Sequence, residues 1–297
     1  MDIGLFEKCI KYIVNNYEVV QLEDLIGADD YYKDKKIATL DFDDGYKDNI
    51  EYAAPILAKY NCKASFNVVT DCVEKNVLPW TQILNECFQF TNIPNLNIDF
   101  DFIPEGLKVK QLPTREDRLQ YFKKISKYLM HTSHELRNIV MMRIVLTYQD
   151  VEFSKVMMNW DDIRQLKNAG HNIGSHTTSH CMLGTMTDED EVRKELSRSG
   201  NAIKDNLGFF PKIISYPINS YNETTIRISK EVGYEAGLAV KQDVYEPGKD
   251  SIFEMPRIEL YNESWLKTKL RISNRLEDIK SLIRYREMKN KLDLVLG

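Results

Sequence analysis

Short segments rich in β-forming residues alternate with amphipathic helical segments along most of this 297-residue chain, and this alternation restricts the fold more than any other feature. Strands are predicted at residues 37–42, 64–69, 171–175, 212–215, 234–240 and 255–260. Apolar residues at helical spacing predict helices near 53–60, 160–169, 192–207 and 225–232. Because strands joined by crossover helices pair in parallel, we expect an α/β fold with a barrel or barrel-like sheet.

Two further features concern the ends of predicted elements and a long interruption. The helix at 192–207 is expected to begin at Thr187 and Asp190, which have capping-box spacing, and to end at Gly208. Residues 76–156 are too many for one crossover and contain helical material. We interpret them as an insertion over one rim of the barrel, where they would form a lid or a substrate wall.

The segment after residue 260 is locally basic and predicts a helical tail. Residues 261–297 carry nine Lys and Arg against five Asp and Glu. An apolar stripe at helical spacing comprises Ile272, Leu276, Ile279 and Ile283. We expect a domain at 1–260 and a helix packed across it at 261–297, with an oligomer contact or adhesion to an anionic membrane surface as alternatives.

Charge and cysteine usage limit the classes of partner and compartment. A formal net charge of -5 gives no electrostatic reason to expect a nucleic-acid partner. The five cysteines are scattered without a C-x-x-C spacing, which favours reduced thiols. The first residues lack the basic and apolar regions of a secretory signal, and no stretch approaches the roughly 20 apolar residues of a transmembrane helix. These features together predict a cytoplasmic protein.

Two adjacent carboxylates follow the first predicted strand, in the segment LDFDDGY. Asp43 and Asp44 precede Gly45, at the end of a strand where parallel α/β proteins build active sites. Like charges this close need a cation, a proton or solvent between them. An acidic turn or a helix cap is the alternative interpretation.

Two of the five histidines lie four residues apart after a later strand, in GHNIGSHTTSH. His176 and His180 are close enough in sequence to bind one ion, and a carboxylate from elsewhere would complete three protein ligands with an open position. Coincidence in a polar loop is the alternative. No Glu follows His176, so the pattern is not the HEXXH motif of metalloproteases.

A third segment, ISYPINSY at 214–221, follows another strand and would by itself indicate only a Tyr-Pro turn. The ordered set of F-D-D-G, H-T-x-x-H and a strand ending in Y-P resembles the NodB-like polysaccharide deacetylases, carbohydrate esterase family four. The resemblance is strongest to the subgroup with a Tyr-Pro third motif, and it covers residues 37–260 except the insertion. It implies a distorted, incomplete (β/α) barrel of the NodB-homology type, with the long insertion and the C-terminal helical tail.

The resemblance also implies a role for each motif residue. Asp43 would be the general base, and Asp44, His176 and His180 would hold one divalent metal ion. The metal lowers the pKa of its water toward about 7, and that water attacks the acetyl carbonyl. The third motif would supply the oxyanion and substrate-binding group from Tyr216, Pro217 and Ile218, through the backbone N–H of Ile218.

This chain departs from the family pattern at two positions. Ser215 stands where many members have an arginine that orients the base, and Arg257 is a candidate to replace it. No histidine follows His180, so the family's late general acid is absent. Asp43 could return its proton to the leaving amine, or His131 or His134 of the insertion could act instead.

The function that follows is metal-dependent hydrolysis of an N-acetylated sugar or saccharide, with release of acetate. Zinc is the default for an Asp-His-His site, and Co²⁺, Ni²⁺, Mn²⁺ or Fe²⁺ also fit. In a cytoplasmic protein, the acetylated saccharide would be a precursor inside the cell. The alternatives are a saccharide-binding relative without turnover and a deacetylase of O-acetyl esters.

Overall fold

The computed structural model describes residues 1–32 and 35–276. Its helices are α1 (Ile3–Asn16), α2 (Asp29–Tyr32), α3 (Ala54–Lys59), α4 (Thr70–Lys75), α5 (Trp80–Phe90), α6 (Glu105–Lys108), α7 (Arg115–Leu129), α8 (His134–Thr147), α9 (Trp160–Asn168), α10 (Glu189–Leu207), α11 (Glu223–Val232) and α12 (Trp265–Ile272). Its strands are β1 (Glu18–Val19), β2 (Ile37–Ala38), β3 (Asp41–Phe42), β4 (Ser65–Val68), β5 (Asn95–Asn97), β6 (Val109–Gln111), β7 (Asn172–Ser175), β8 (Ile213–Ser215) and β9 (Ala236–Leu238). In this part of the chain, no helix is both long enough and apolar enough to cross a bilayer.

The centre of the molecule is a five-stranded parallel sheet with strand order β3-β4-β7-β8-β9. The sheet is curled into part of a barrel, so the predicted α/β fold with an incomplete (β/α) barrel is confirmed. Neighbouring strands are joined through helices, and all five therefore end at the same edge of the sheet. The three sequence motifs lie directly after β3, β7 and β8, at that shared edge.

Three details of the predicted elements are wrong or incomplete. The strand expected at 37–42 is two short strands, because β2 pairs with β1 while β3 pairs with β4. The strand expected at 255–260 is reduced to one bridge between Leu238 and Met255, since Pro256 has no N–H to donate to a ladder. Helix α10 begins after Asp188, not with a Thr187–Asp190 capping box, and it ends at Gly208 as predicted.

The main core packs the helices against the apolar residues of β4. Phe66 and Val68 are fully buried, and the Phe66 ring stacks on Phe42 with centroids 4.9 Å apart. Ile163 of α9 and Ile203 of α10 belong to the same cluster. Each such side chain contributes about 1.5–3 kcal/mol to folding, so this layer holds the motif-bearing strands in register.

The insertion forms a helical unit with its own apolar cluster. Helices α5, α7 and α8 bury residues such as Phe88, Ile125 and Ile144, and β5 pairs with β6. The chain then returns beside the first motif, where the amide of Lys47 donates to the carbonyl of Val156 at 2.7 Å. The interpretation of this unit as a lid or a substrate wall stays a prediction.

One buried arginine docks the insertion onto the barrel. Arg137 of α8 is 1% exposed, and its Nη1 donates to the carbonyl oxygens of Leu129 and Thr132. Its Nη2 lies 3.3 Å from Thr185 Oγ1, and its Nη1 lies 3.4 Å from the sulfur of Met182. Both of these last residues belong to the segment that follows His180, so the insertion contacts the continuation of the second motif.

The last described helix packs along the first. The rings of Tyr12 and Trp265 have centroids 5.7 Å apart, and the Tyr17 hydroxyl donates to the carbonyl of Ile272. Leu276 is also buried. The other two members of the predicted stripe, Ile279 and Ile283, lie outside the described residues.

Gly237 in β9 provides a test of packing behind the third motif. An added Cβ would lie 2.4 Å from the Tyr216 hydroxyl and 2.6 Å from the carbonyl oxygen of Phe253. Because a backbone carbonyl cannot move aside freely, we expect Gly237→Ala to lower the free energy of unfolding by about 1–3 kcal/mol in chemical denaturation. Gly106→Ala is the matched control, since its Cβ would meet open space. Equal midpoints for the two variants would contradict this account.

Candidate metal centre

One carboxylate and two imidazoles meet at the carboxyl edge of the sheet. Asp44, His176 and His180 each offer a ligand atom, and these atoms all lie within 4.8 Å of one another. The Nε2 atoms of His176 and His180 lie 3.5 and 3.2 Å from Asp44 Oδ1. The structure therefore brings together the three residues that the sequence predicted as metal ligands.

The backbone around these residues is held in an unusual conformation. Several residues other than glycine have positive φ angles at the site, among them Asp44 at 71°, Thr177 at 66°, His180 at 58° and Ile218 at 55°. Such angles are uncommon, and they are genuine outliers for β-branched side chains such as threonine and isoleucine. Each costs about 1–3 kcal/mol and persists only where the surroundings impose it, most often at a functional site.

The chemistry of the three groups fits a cation. His176 Nδ1 lies 2.8 Å from the carbonyl oxygen of Ser215, an acceptor, so Nδ1 carries the proton and Nε2 presents a lone pair. Burial lowers the pKa of His176, which favours the neutral ring. Asp44 Oδ1 is buried without a hydrogen-bond donor, although it faces both imidazoles. Electron-pair donors that converge in this way need a positive ion between them, and their number and type suit a divalent metal.

Asp43, the other carboxylate of the pair, points into a separate set of donors. Asn67 Nδ2 donates to Asp43 Oδ1 at 2.9 Å, and Ser215 Oγ donates to Oδ2 at 3.0 Å. Arg257 Nη2 lies 2.9 Å from the same Oδ2. Burial by itself would raise the pKa of Asp43, but the charge of Arg257 and the hydrogen bonds from Arg257 and Asn67 outweigh it, and the pKa lies well below its ordinary value. Asp43 is therefore an ionised carboxylate of fixed orientation.

Arg257 is shared between two carboxylates. Its Nη1 pairs with Asp41 of β3, while its Nη2 contacts Asp43 and donates to Ser215 Oγ at 3.1 Å. The two carboxylates raise the pKa of Arg257 further above its ordinary value despite its burial. The structure thus places Arg257 where the sequence suggested, against the candidate base and the serine that replaces the usual arginine.

The third motif divides between the site and the core. Tyr216 is fully buried, its ring stacks on Tyr221 with centroids 4.7 Å apart, and its side chain belongs to the core under β9. Pro217 is also buried, whereas Ile218 is half-buried in a turn that follows β8. Of these three residues, Tyr216 and Pro217 are buried, and Ile218 is the one that is partly exposed.

The two histidines of the insertion do not share the surroundings of Asp43. His134 Nε2 lies 2.9 Å from Asn138 Nδ2 on its own helix, and burial lowers its pKa. His131 is exposed at the end of α7. Among the described contacts, neither ring reaches the Asp44 cluster.

Sequence analysis missed two side chains that hold the candidate base. Asn67 and Asp41 are polar residues inside strand segments of largely apolar sequence, ASFNVV and IATLDF. A buried polar residue in such a strand needs a partner, so the interruption of the pattern was the available signal. The identity of the partner required the fold.

Comparisons with known proteins agree with this geometry. The family model described as "Polysaccharide deacetylase" matches residues 30–96 and 141–237, which is more than half of the chain and includes Asp43, Asp44, His176 and His180. YxkH of Bacillus subtilis (strain 168), a relative whose name contains polysaccharide deacetylase, is 29% identical over 91 residues. That match spans 31% of this chain and 30% of the relative.

Solved structures share the fold across nearly the whole chain at low sequence identity. The Streptococcus pyogenes deacetylase PplD, solved in complex with acetate, has a TM-score of 0.58 at 19% identity, covering 90% of this chain and 86% of that one. IcaB from Ammonifex degensii has a TM-score of 0.56 at 15% identity, covering 93% and 90%. A de-N-acetylase from Aggregatibacter actinomycetemcomitans has a TM-score of 0.54 at 19% identity, covering 88% and 86%. With the motif residues gathered at one edge of the same fold, this chain belongs to the polysaccharide deacetylase family.

Proposed function

We propose that this protein hydrolyses the acetamide of an N-acetylated sugar or saccharide and releases acetate and a free amine. The observation that carries the proposal is the pairing of two different sites at one sheet edge. One is the cation-binding cluster of Asp44, His176 and His180, and the other is an ionised Asp43 beside it. Family membership supports deacetylation of a saccharide as the class of reaction.

Asp44, His176 and His180 would hold one divalent ion, with zinc as the default and Co²⁺, Ni²⁺, Mn²⁺ or Fe²⁺ as alternatives. When bound, such an ion supplies Lewis acidity that lowers the pKa of water toward about 7 and polarises an acetyl carbonyl. The hydrogen bond from His176 Nδ1 to the carbonyl of Ser215 keeps the other ring nitrogen free to bind the ion.

Asp43 would act as the general base that accepts the proton of the attacking water. Its Oδ1 receives one described hydrogen bond, from Asn67, so this oxygen retains a lone pair for the proton. Arg257 and Ser215 hold Oδ2 and fix the direction of the carboxylate. After it gains the proton, Asp43 is the acid nearest the reacting groups, and we propose that it protonates the leaving amine.

The backbone N–H of Ile218 would stabilise the negative oxygen of the tetrahedral intermediate. A donor of this kind contributes about 3 kcal/mol to transition-state stabilisation. Its position does not depend on the isoleucine side chain, but it does depend on the positive φ of Ile218, which turns the chain directly after Pro217.

An N-acetyl substrate is favoured over an O-acetyl ester by the name of one structural relative, which is a de-N-acetylase. Another relative is a deacetylase solved with acetate, a product common to both reactions. The contact of Arg257 with Asp43 weighs against a relative without turnover, because it restores the orientation of the base that Ser215 would otherwise lack.

The test is acetate release by the purified protein from a panel of N-acetylated and O-acetylated sugars. We expect release from N-acetylated sugars, its loss after treatment with a chelator, and its recovery on addition of Zn²⁺ or Co²⁺. Release confined to esters would replace the amide substrate with an ester. Binding of saccharide without any acetate release, at full metal occupancy, would make the protein a binding relative.

We also propose that the protein acts in the cytoplasm on an acetylated precursor. The support is that all five cysteines are free and buried, as in proteins of a reducing compartment. The domain at 1–260 and an oligomer or membrane-surface contact by the tail at 261–297 stay predictions. Fractionation of cells that express the native gene, with and without the tail, tests the cytoplasmic location and the membrane-surface contact of the tail.

Arg257 provides a test of how the base is held. We expect Arg257→Gln to reduce acetate release by about 100-fold, because a small misplacement of a catalytic group can cost this much. The variant should also be less stable by about 3–5 kcal/mol, since Asp41 and Asp43 lose their buried cation. Arg257→Lys should recover only part of the activity, because a point charge cannot bridge both carboxylates as a guanidinium does.

The matched control is Arg164→Gln, which removes an exposed arginine that pairs with Asp161. Acetate release and denaturant midpoints are measured for all three variants. Activity of Arg257→Gln equal to that of the control would show that the arginine does not orient the base.

A further inference from the structure

We infer that Glu195 of α10 is a positioning residue for the metal centre, because its side chain fixes the loop that carries both histidine ligands. The inference rests on the proposed function only in taking His176 and His180 as ligands. Glu195 lies outside the three motifs and is half-buried on the helix that follows the loop.

Two consecutive loop residues direct all of their described donors to Glu195. The amides of Thr178 and Ser179 donate to Oε2 at 3.1 and 3.0 Å, and Ser179 Oγ donates to Oε1 at 2.9 Å. Thr178 Oγ1 donates to the backbone carbonyl of Glu195 at 2.8 Å. Four hydrogen bonds from two adjacent residues to one partner hold the middle of the loop in place.

The carbonyl side of the same loop is held from the opposite direction. The amides of Thr70 and Asp71, at the start of α4, donate to the carbonyl oxygens of Thr177 and Thr178 at 3.2 and 2.9 Å. Peptide groups fixed on both sides cannot rotate, and the loop therefore has one conformation. The Glu195 side chain accepts from the amides of these peptide groups, and the backbone of α4 donates to their carbonyl oxygens.

The loop needs such support because its conformation is strained on both sides of Thr178 and Ser179. Thr177 and His180 both have positive φ angles, at 66° and 58°. Angles of this kind persist only where surrounding contacts impose them. Without the Glu195 carboxylate, the amides of Thr178 and Ser179 lose their acceptor, and the loop can relax toward ordinary φ angles.

The two histidines differ in how their rings are oriented, and this makes His180 dependent on the loop. The Nδ1 of His176 bonds to the carbonyl of Ser215, which fixes that ring directly. The Nδ1 of His180 is buried without a hydrogen-bond partner. The orientation of His180 is therefore set by the backbone that carries it, and that backbone is held by Glu195.

The test compares metal affinity for Glu195→Ala and Glu195→Gln by chelator competition with Zn²⁺. Outer-shell changes of this kind typically weaken binding by 10–100-fold, so we expect a loss of about that size for Glu195→Ala. Glu195→Gln should bind nearly as well as the unmodified protein. Its amide oxygen can accept from both backbone N–H groups, and its NH₂ can donate to Ser179 Oγ.

Glu191→Ala is the matched control, since Glu191 is exposed on the same helix and pairs with Lys194. The visible spectrum of the Co²⁺-loaded protein reports the ligand geometry, which a purely stabilising residue would leave unchanged. We expect an altered spectrum for Glu195→Ala alone among these three variants.

Unchanged affinity and an unchanged spectrum in Glu195→Ala would overturn the inference, as would an equal loss in Glu195→Gln. If Glu195→Ala does not fold, Ser179→Ala removes one of the contacts and should weaken Zn²⁺ binding in the same direction, and unaltered binding there would also overturn it. Absence of metal binding by the unmodified protein would instead refute the proposed metal centre. Metal binding without acetate release would refute the deacetylase while leaving the role of Glu195 intact.

Discussion

Replacement of Asp43 by Asn should reduce acetate release by about 10²–10⁴-fold, the usual contribution of a positioned general base. The amide cannot take up the proton of the attacking water, and it also lacks the charge that pairs with Arg257. The metal should remain bound, because Asp43 is not one of the three convergent ligands. Single-turnover acetate release and metal content by elemental analysis measure the two effects separately.

The control for this variant is Asp161→Asn, which alters an exposed aspartate in the first turn of α9. It should retain full activity and full metal content. Acetate release by Asp43→Asn within about tenfold of the control would be too small a loss for a general base and would assign that role to another group.

Replacement of His180 by Ala should abolish acetate release and weaken metal binding by more than the 10–100-fold typical of an outer-shell change. Two ligands would remain, and Asp44 Oδ1 would face His176 alone. Chelator competition with Zn²⁺ measures the loss of affinity, and addition of excess metal should restore little of the activity.

His131→Gln is the matched control, because His131 is an exposed histidine of the insertion. It should keep both its metal and its activity, which also tests whether this histidine acts as the general acid. Full metal content in His180→Ala would contradict the assignment of the ligands.

The positions of the candidate metal ligands could be predicted because parallel strands end at a common edge. Asp44 follows β3 and His176 follows β7, so the order of motifs along the sequence becomes proximity in the sheet. The strand predicted at 255–260 did not form a ladder, because Pro256 has no N–H to donate.

The supports of the site could not be predicted in the same way. Arg257 and Asp41 are 216 residues apart in sequence, and no local pattern indicates that they pair. Nothing in the local sequence distinguishes Glu195 from other partly exposed glutamates on a helix. Its contacts with Thr178 and Ser179 depend on how α10 packs. Long-range hydrogen bonds of this kind follow from tertiary packing, which the sequence pattern does not specify residue by residue.

The insertion has an apolar core of its own, separate from the core under the five-stranded sheet. Because α5, α7 and α8 bury their apolar faces against one another, we expect that a different insertion between α4 and α9 would leave Asp43 and Asp44 in their places. Such a replacement would need to keep the contacts of Arg137, because this residue joins the insertion to Thr185 and Met182 just beyond His180. We expect a replacement insertion that preserves these contacts to leave Asp43, Asp44, His176 and His180 in the arrangement described above.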